Sequence, residues 1–194
     1  MPLRTFLALD VDAAVRERLP SIAGGLQVGR AKLRPVPPEN IHVTLNFLGD
    51  VADAALGDVC RAVADVGAAS EPFTFTVRGV RCMPPKGRVN ILWADVADPE
   101  ARLAGLQGEL TEAMSALGFR PDARTYHPHL TIARVKYAAD PRALRQAVAP
   151  FADEDFGPQR AERVTTYTSE LTPRGAVYIP AARAALGGTG TASG

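Results

Sequence analysis

The spacing of apolar positions changes repeatedly along the chain, and the pattern predicts an alternation of short strands and helices. Compact apolar runs and two-residue alternation predict strands, whereas spacings of three and four residues predict helices. The predicted strands are residues 6–9, 41–48, 73–80, 89–96, 129–134, 161–171 and 176–179. The predicted helices are residues 13–27, interrupted by Pro20 and two glycines, and residues 53–67, 99–117 and 141–149.

The connections between these elements favour an α+β fold with mostly antiparallel sheet. The strands at 73–80 and 89–96 are joined by the basic loop 81–88, which is too short for a parallel crossover. Residues 34–40 read as a proline-stiffened connection. We expect one domain over residues 1–186 and a disordered tail over residues 187–194, which contain only Gly, Thr, Ser and Ala.

A repeated four-residue motif is the sharpest chemical signal. His-Val-Thr-Leu at residues 42–45 returns as His-Leu-Thr-Ile at residues 129–132, separated by close to half of the 194 residues. In each copy His and Thr are two positions apart on a predicted strand, so both face one side while the apolar residues face the other. If the halves are related by duplication, an approximate two-fold axis would bring the two polar faces together across a cleft.

Two histidines on opposite sides of a phosphorus atom are suited to in-line displacement. Imidazole has a pKa near ~6.5, so at neutral pH one ring can accept a proton from water while the other donates one to the departing oxygen. The hydroxyls of Thr44 and Thr131 can hold the non-bridging oxygens. No metal or other cofactor is implied. The third histidine, His127, precedes Pro128 and reads as a loop residue, and no carboxylate cluster accompanies the histidines.

Composition limits the partners. The chain has 22 basic and 21 acidic residues, a formal net charge of +1, which provides no global field for a nucleic-acid duplex. Nineteen of the basic residues are arginines. Codon bias is the simpler explanation of that excess, and phosphate binding is the functional one. Two lone cysteines favour neither a disulfide framework nor a zinc site, and no stretch approaches the ~20 apolar residues of a membrane helix. We expect a cytoplasmic protein that does not contact membranes.

The paired motifs, with the stretches at residues 4–10, 39–49, 127–134 and 169–178, resemble the two-histidine (2H) phosphoesterases. Within them the chain is similar to the RNA 2',3'-cyclic phosphodiesterases, also called 2'-5' RNA ligases, of the LigT or ThpR type. The resemblance implies a bilobal α+β fold with pseudo-two-fold symmetry, two mostly antiparallel sheets flanked by helices, and a central cleft. It also implies metal-independent hydrolysis of a terminal RNA 2',3'-cyclic phosphate to a 2'-phosphate, and a related joining reaction through a 2'-5' linkage. We expect a monomer with no obligate protein partner.

The resemblance also implies roles for individual residues. His42 is expected to be the general acid and His129 the general base, although the pseudo-symmetry makes the two nearly interchangeable. Arg134 matches the arginine that follows the second motif, where it is expected to assist phosphate binding. Strand alternation places Arg134 on the face opposite His129 unless the strand bulges or ends, and a structural salt bridge is the other interpretation. The same alternation predicts a core position for Phe47.

Further basic residues are candidates for guiding an RNA 3' end, although a solvated surface is the simpler interpretation for most: Lys86, Arg88, Arg120 and Arg124, with Tyr126 beside them. Two other functions stay open. The chain could be a non-catalytic module that binds nucleotides or RNA ends. Its substrate could also be a small cyclic nucleotide or an NAD-derived cyclic phosphate.

Overall fold

The computed structural model describes residues 2–26, 28–173 and 175–188. Within these residues the chain forms nine strands and four α-helices. In chain order they are β1 (Leu3–Asp10), α1 (Ala13–Gly25), β2 (Lys32–Pro35), β3 (His42–Val51), α2 (Asp53–Ala69), β4 (Phe73–Met83), β5 (Ile91–Ala97), α3 (Arg102–Ala116), β6 (His129–Tyr137), α4 (Pro141–Val148), β7 (Asp155–Ala161), β8 (Arg163–Thr172) and β9 (Gly175–Ala185).

The strands form two antiparallel sheets whose orders correspond. The first sheet has the order β3-β1-β8-β9, and the second has β2-β6-β5-β4-β7. In the spatial order of each sheet, three strands lie on one side of the histidine strand, β3 or β6. The second sheet has one further strand, β2, which pairs with the other edge of β6. All strand pairs are antiparallel. The predicted α+β class with two antiparallel sheets is confirmed.

Two helices pack on each sheet and bury its apolar positions. Helix α2 contacts β8 and β9, and α3 contacts α2 and β3, whereas α1 lies against β2 and β6 and α4 against β4. The apolar stripe predicted for α3 is buried at Leu103, Leu106, Leu110 and Met114. In β6 the side chains of Leu130 and Ile132, which alternate with His129 and Thr131, are fully buried. Burial of these alternate positions holds the motif residues of β6 toward the opposite surface. None of the helices in the described residues is long and apolar enough to span a membrane.

Several boundaries differ from the sequence prediction. Strand β2 occupies part of the predicted proline-stiffened connection, and it is accommodated because Pro35 ends a four-residue strand at the sheet edge. Strand β7 was not predicted, and β4 runs to Met83, into the predicted loop. Helix α3 begins at Arg102, where the Leu103 amide donates to Asp98 Oδ2 at 2.7 Å. The predicted tail lies mostly at residues 189–194, outside the described residues, so its disorder stays a prediction.

Replacing Leu130 by alanine tests the packing that supports β6. Leu130 is 0% exposed, so Leu130→Ala should lower the free energy of unfolding by about 2–5 kcal/mol. Urea unfolding measures the change, and Leu171→Ala is the matched control. Leu171 is 72% exposed, and its truncation should cost less than about 0.5 kcal/mol. Equal losses in the two variants would contradict the burial assigned to β6.

Candidate active site

The two histidine strands converge on one cavity between the sheets. The cavity has a volume of about 370 Å³, and its walls include His42 and Thr44 from β3 with His129 and Thr131 from β6. The four residues of the repeated motif, separated by half the chain, thus line a common space. A second groove of about 880 Å³ shares Thr44, His129 and Thr131 and extends to the loop before β6.

A bulge in β6 turns Arg134 into this cavity. Thr131 is opposite Trp93 and Ala133 is opposite Leu92, so Ile132 is an extra residue on β6. Ile132 and Ala133 are consequently both buried, and Arg134 is exposed on the face that carries His129. Arg134 lines the cavity and the groove. The bulge therefore resolves the conflict between strand alternation and the expected phosphate role of Arg134.

An equivalent bulge in β3 overturns the prediction that Phe47 is a core residue. Thr44 is opposite Ala8 and Asn46 is opposite Leu7, which leaves Leu45 as the extra residue. Phe47 is 63% exposed and lines both the cavity and the groove. Phe47 and Arg134 each stand five positions after the histidine of their strand, so they are corresponding residues of the two halves.

The ring of His129 is oriented by the backbone just before β6. Nδ1 lies 2.7 Å from the backbone oxygen of His127. Because a carbonyl oxygen only accepts, Nδ1 carries the proton and Nε2 of the neutral ring keeps its lone pair. The indole of Trp93 packs against the ring with centroids 4.1 Å apart. Burial lowers the pKa of His129, while the His127 backbone and Asp95 act in the opposite direction.

His42 is enclosed by aromatic rings. The Phe6 ring stacks on it at a centroid distance of 4.9 Å, and the Tyr178 ring meets it edge-on at 5.5 Å. Nε2 of His42 is 3.1 Å from the hydroxyl of Thr44, and the ring also hydrogen-bonds the Asn40 backbone. Burial lowers the pKa of His42 to about 4, with the nearby His129 acting in the same direction. The Asn40 backbone and Asp10 only partly oppose this.

Each histidine has an aspartate directly opposite it on the neighbouring strand. Asp10 on β1 pairs with His42, and Asp95 on β5 pairs with His129. Asp10 accepts hydrogen bonds from the hydroxyls of Tyr167 at 2.6 Å and Thr165 at 2.9 Å. Asp95 accepts from the Trp93 indole at 2.9 Å. The sequence pattern did not identify either carboxylate as part of the site. The one available signal was that Asp10 ends the first predicted strand.

The other basic candidates divide into two groups. Arg120, Arg124 and Tyr126 line the larger groove, whereas Lys86 and Arg88 lie outside the cavity and the groove. Arg124 is paired with Asp122, at 2.5 Å between Nη2 and Oδ2. The Tyr126 hydroxyl donates to the backbone oxygen of Thr44 at 3.2 Å, which ties the loop before β6 to β3.

The described part of the chain holds no preformed cluster of metal ligands. No group of three or more His, Cys, Asp or Glu side chains there is arranged to hold a metal ion. Metal independence itself stays a prediction that only an activity measurement can test.

Known proteins are similar to this chain along nearly its whole length. The profile of the family described as LigT like Phosphoesterase matches residues 9–93 and 95–178. The chain belongs to the LigT-like phosphoesterase family. A relative from Methanothermobacter thermautotrophicus named RNA 2',3'-cyclic phosphodiesterase is 35% identical over 92% of this chain and 96% of its own. A relative of the same name from Archaeoglobus fulgidus is 33% identical over 91% of this chain and 96% of its own.

Two solved bacterial structures have a similar fold. A Thermus thermophilus protein, TT0787, superimposes with a TM-score of 0.79 at 25% identity, covering 96% of this chain and all of that one. The complex of E. coli LigT with 3'-AMP gives a TM-score of 0.77 at 24% identity, covering 96% of this chain and 99% of that one. These likenesses confirm the bilobal fold expected for a LigT-like phosphoesterase.

The enclosure of His42 has a measurable consequence for its titration. In the free protein the NMR signals of the His42 ring should titrate at about pH 4, well below the ordinary value near 6.5. Between pH 6.5 and 4 the unfolded state binds more protons at this position, so folding stability should fall as pH falls through that window. The variant His42→Gln assigns the signal and should lack this part of the loss. A midpoint at or above 6.5 would contradict the enclosed site.

Proposed function

We propose that the protein hydrolyses the terminal 2',3'-cyclic phosphate of RNA to a 2'-phosphomonoester, using His42 and His129 as a general acid and base pair. The observation that carries the proposal is the placement of two His-x-Thr motifs on the walls of one cavity. The names of the archaeal relatives, RNA 2',3'-cyclic phosphodiesterase, support this substrate class.

The cyclic phosphate would lie between the two motifs. Nε2 of neutral His129 removes a proton from water, and the water oxygen attacks phosphorus. The bond from phosphorus to the 3'-oxygen breaks, and His42 gives its proton to that oxygen. The hydroxyls of Thr44 and Thr131 hold the non-bridging oxygens, and the guanidinium of Arg134 supplies positive charge beside them. With a 5'-hydroxyl in place of water as the attacking group, the same displacement would break the bond to the 3'-oxygen and join two RNA ends through a 2'-5' linkage.

Substrate binding would prepare His42 for its role. With a pKa of about 4, the His42 ring in the free protein is neutral at pH 7. It must take up a second ring proton before it can act as the general acid. A bound phosphate diester places a negative charge beside the ring, which favours the protonated form and raises the pKa. Asp10, directly across the strand pair, acts in the same direction. Protonation of the acid is thereby coupled to occupancy of the cavity.

The first test is turnover of an RNA oligonucleotide ending in a 2',3'-cyclic phosphate, in excess chelator, with the 2'-phosphate product resolved from the 3'-isomer. Replacing either His42 or His129 by alanine should lower kcat by about 10²–10⁴-fold, since each removes one acid or base. His127→Ala is the matched control, because the backbone oxygen that orients His129 is retained. It should change kcat by less than about threefold.

Three results would contradict the proposal. Activity that is abolished by chelator and restored by metal would indicate a metallohydrolase. Near-wild-type turnover in either histidine variant would remove that residue from the mechanism. Binding of the oligonucleotide without product after long incubation would favour a non-catalytic RNA-end binding module.

A second experiment separates the acid from the base. In a cyclic substrate with sulfur in place of the 3'-oxygen, the leaving thiolate needs no proton. If His42 is the acid, His42→Ala should regain most of the wild-type rate on this analogue, whereas His129→Ala should stay impaired. Single-turnover rates for the oxygen and sulfur substrates measure the difference. Rescue of His129→Ala alone would exchange the two roles.

A further inference from the structure

Two arginines face each other across the strand pair at the edge of the second sheet. Arg34 on β2 and Arg134 on β6 are direct register partners, and both side chains are exposed and line the cavity. Guanidinium groups form charge-assisted, often bidentate hydrogen bonds with phosphate oxygens. Two of them in one cavity wall therefore suit a ligand that carries two anionic groups.

The Arg34 side chain lies in the cavity wall and reaches the first sheet. Nη2 of Arg34 lies close to Gly175 at the start of β9, such that a Cβ atom at Gly175 would lie 2.9 Å from it. The guanidinium therefore extends from the second sheet to the hairpin of the first. Lys32, two positions earlier on β2, is exposed as well and adds positive charge, while Glu39 is an acidic residue in the same cavity wall.

The chemistry of an RNA end supplies a second anion at one nucleotide's distance. When the cyclic phosphate lies between the histidines, the next phosphate is attached to the 5'-oxygen of the same nucleoside. A cyclic mononucleotide with a free 5'-hydroxyl lacks that group. A protein with one cation for each phosphate would therefore distinguish an RNA end from a cyclic mononucleotide.

Building on the proposed function, we propose that Arg34 binds the phosphate on the 5'-oxygen of the terminal nucleoside while Arg134 binds the cyclic phosphate. Each guanidinium then bonds one phosphate through charge-assisted hydrogen bonds. Arg34 is thus a determinant of substrate class that selects RNA ends.

Three substrates test this assignment: a nucleoside 2',3'-cyclic phosphate with a 5'-hydroxyl, the same compound with a 5'-phosphate, and a dinucleotide ending in the cyclic phosphate. For Arg34→Gln we expect kcat/KM to fall by about tenfold or more on the last two, since a charge-assisted contact is lost. On the first substrate it should change by less than about twofold. The slope of log kcat/KM against log salt on the dinucleotide should become shallower by about 0.7.

The matched control is Arg61→Gln, which removes an exposed arginine on α2, outside the cavity and the groove. It should leave all three substrates unchanged. Thermal unfolding checks that Arg34→Gln is folded, and Arg34→Lys, which keeps the charge, should retain most of the salt slope. If Arg34→Gln does not fold, the lysine variant decides, with a smaller loss on the same two substrates.

The results that would contradict the role of Arg34 differ from those that would contradict the proposed function. An equal loss on all three substrates, or no loss on any, would overturn the role of Arg34. A loss confined to the dinucleotide would overturn the phosphate assignment, because Arg34 would then depend on the upstream nucleoside. Wild-type protein inactive on all three substrates would instead overturn the proposed function.

Discussion

The pairing of each histidine strand with its neighbour accommodates one extra residue directly after the His-x-Thr motif, Leu45 in β3 and Ile132 in β6. Before the bulge, alternation directs His and Thr to the cleft; after it, the alternation is reversed. The fifth residue after each histidine consequently joins the cleft, and it is Phe47 in one half and Arg134 in the other. A regular strand would bury both positions, so the composition of the cleft depends on these two bulges.

Burial of the imidazoles sets up an electrostatic conflict within the site. The aromatic rings that hold His42 in place also remove it from water, and this lowers its pKa to about 4. Asp10 raises the pKa of His42 and Asp95 raises that of His129, but burial is the larger effect on each ring. An empty site therefore favours two neutral rings, whereas an anion between them favours a proton on one. The aromatic packing around His42 would thus make its protonation depend on the binding of an anion, as the proposed function requires.

Local patterns predicted much of this structure, and contacts distant in sequence account for what they missed. The motif strands and α3 follow from periodicity, which is a property of neighbouring residues. Strand β2 has four residues, too few for a periodic pattern, and forms because β6 offers an open edge. The orientation of Phe47 could not be predicted because the bulge is defined only by the partner strand β1. The stacking of Phe6 on His42 likewise joins different strands.

The two halves of the molecule are alike in their His-x-Thr motifs and unlike in what surrounds them. Strand β2 precedes β3 in the chain but pairs with β6 in the other sheet, so the segment between them crosses the cleft. The crossing is fixed at both ends: the Val36 amide donates to the Ile132 backbone oxygen at 2.9 Å, and the Asn40 side chain donates to the Ala176 backbone oxygen at 2.9 Å. Among the described residues, the second sheet alone gains an extra edge strand in this way, and that strand carries Arg34. A chain with a net charge of +1 can therefore concentrate cations on one side of two nearly symmetric His-x-Thr motifs, because the added strand breaks the symmetry of the cavity.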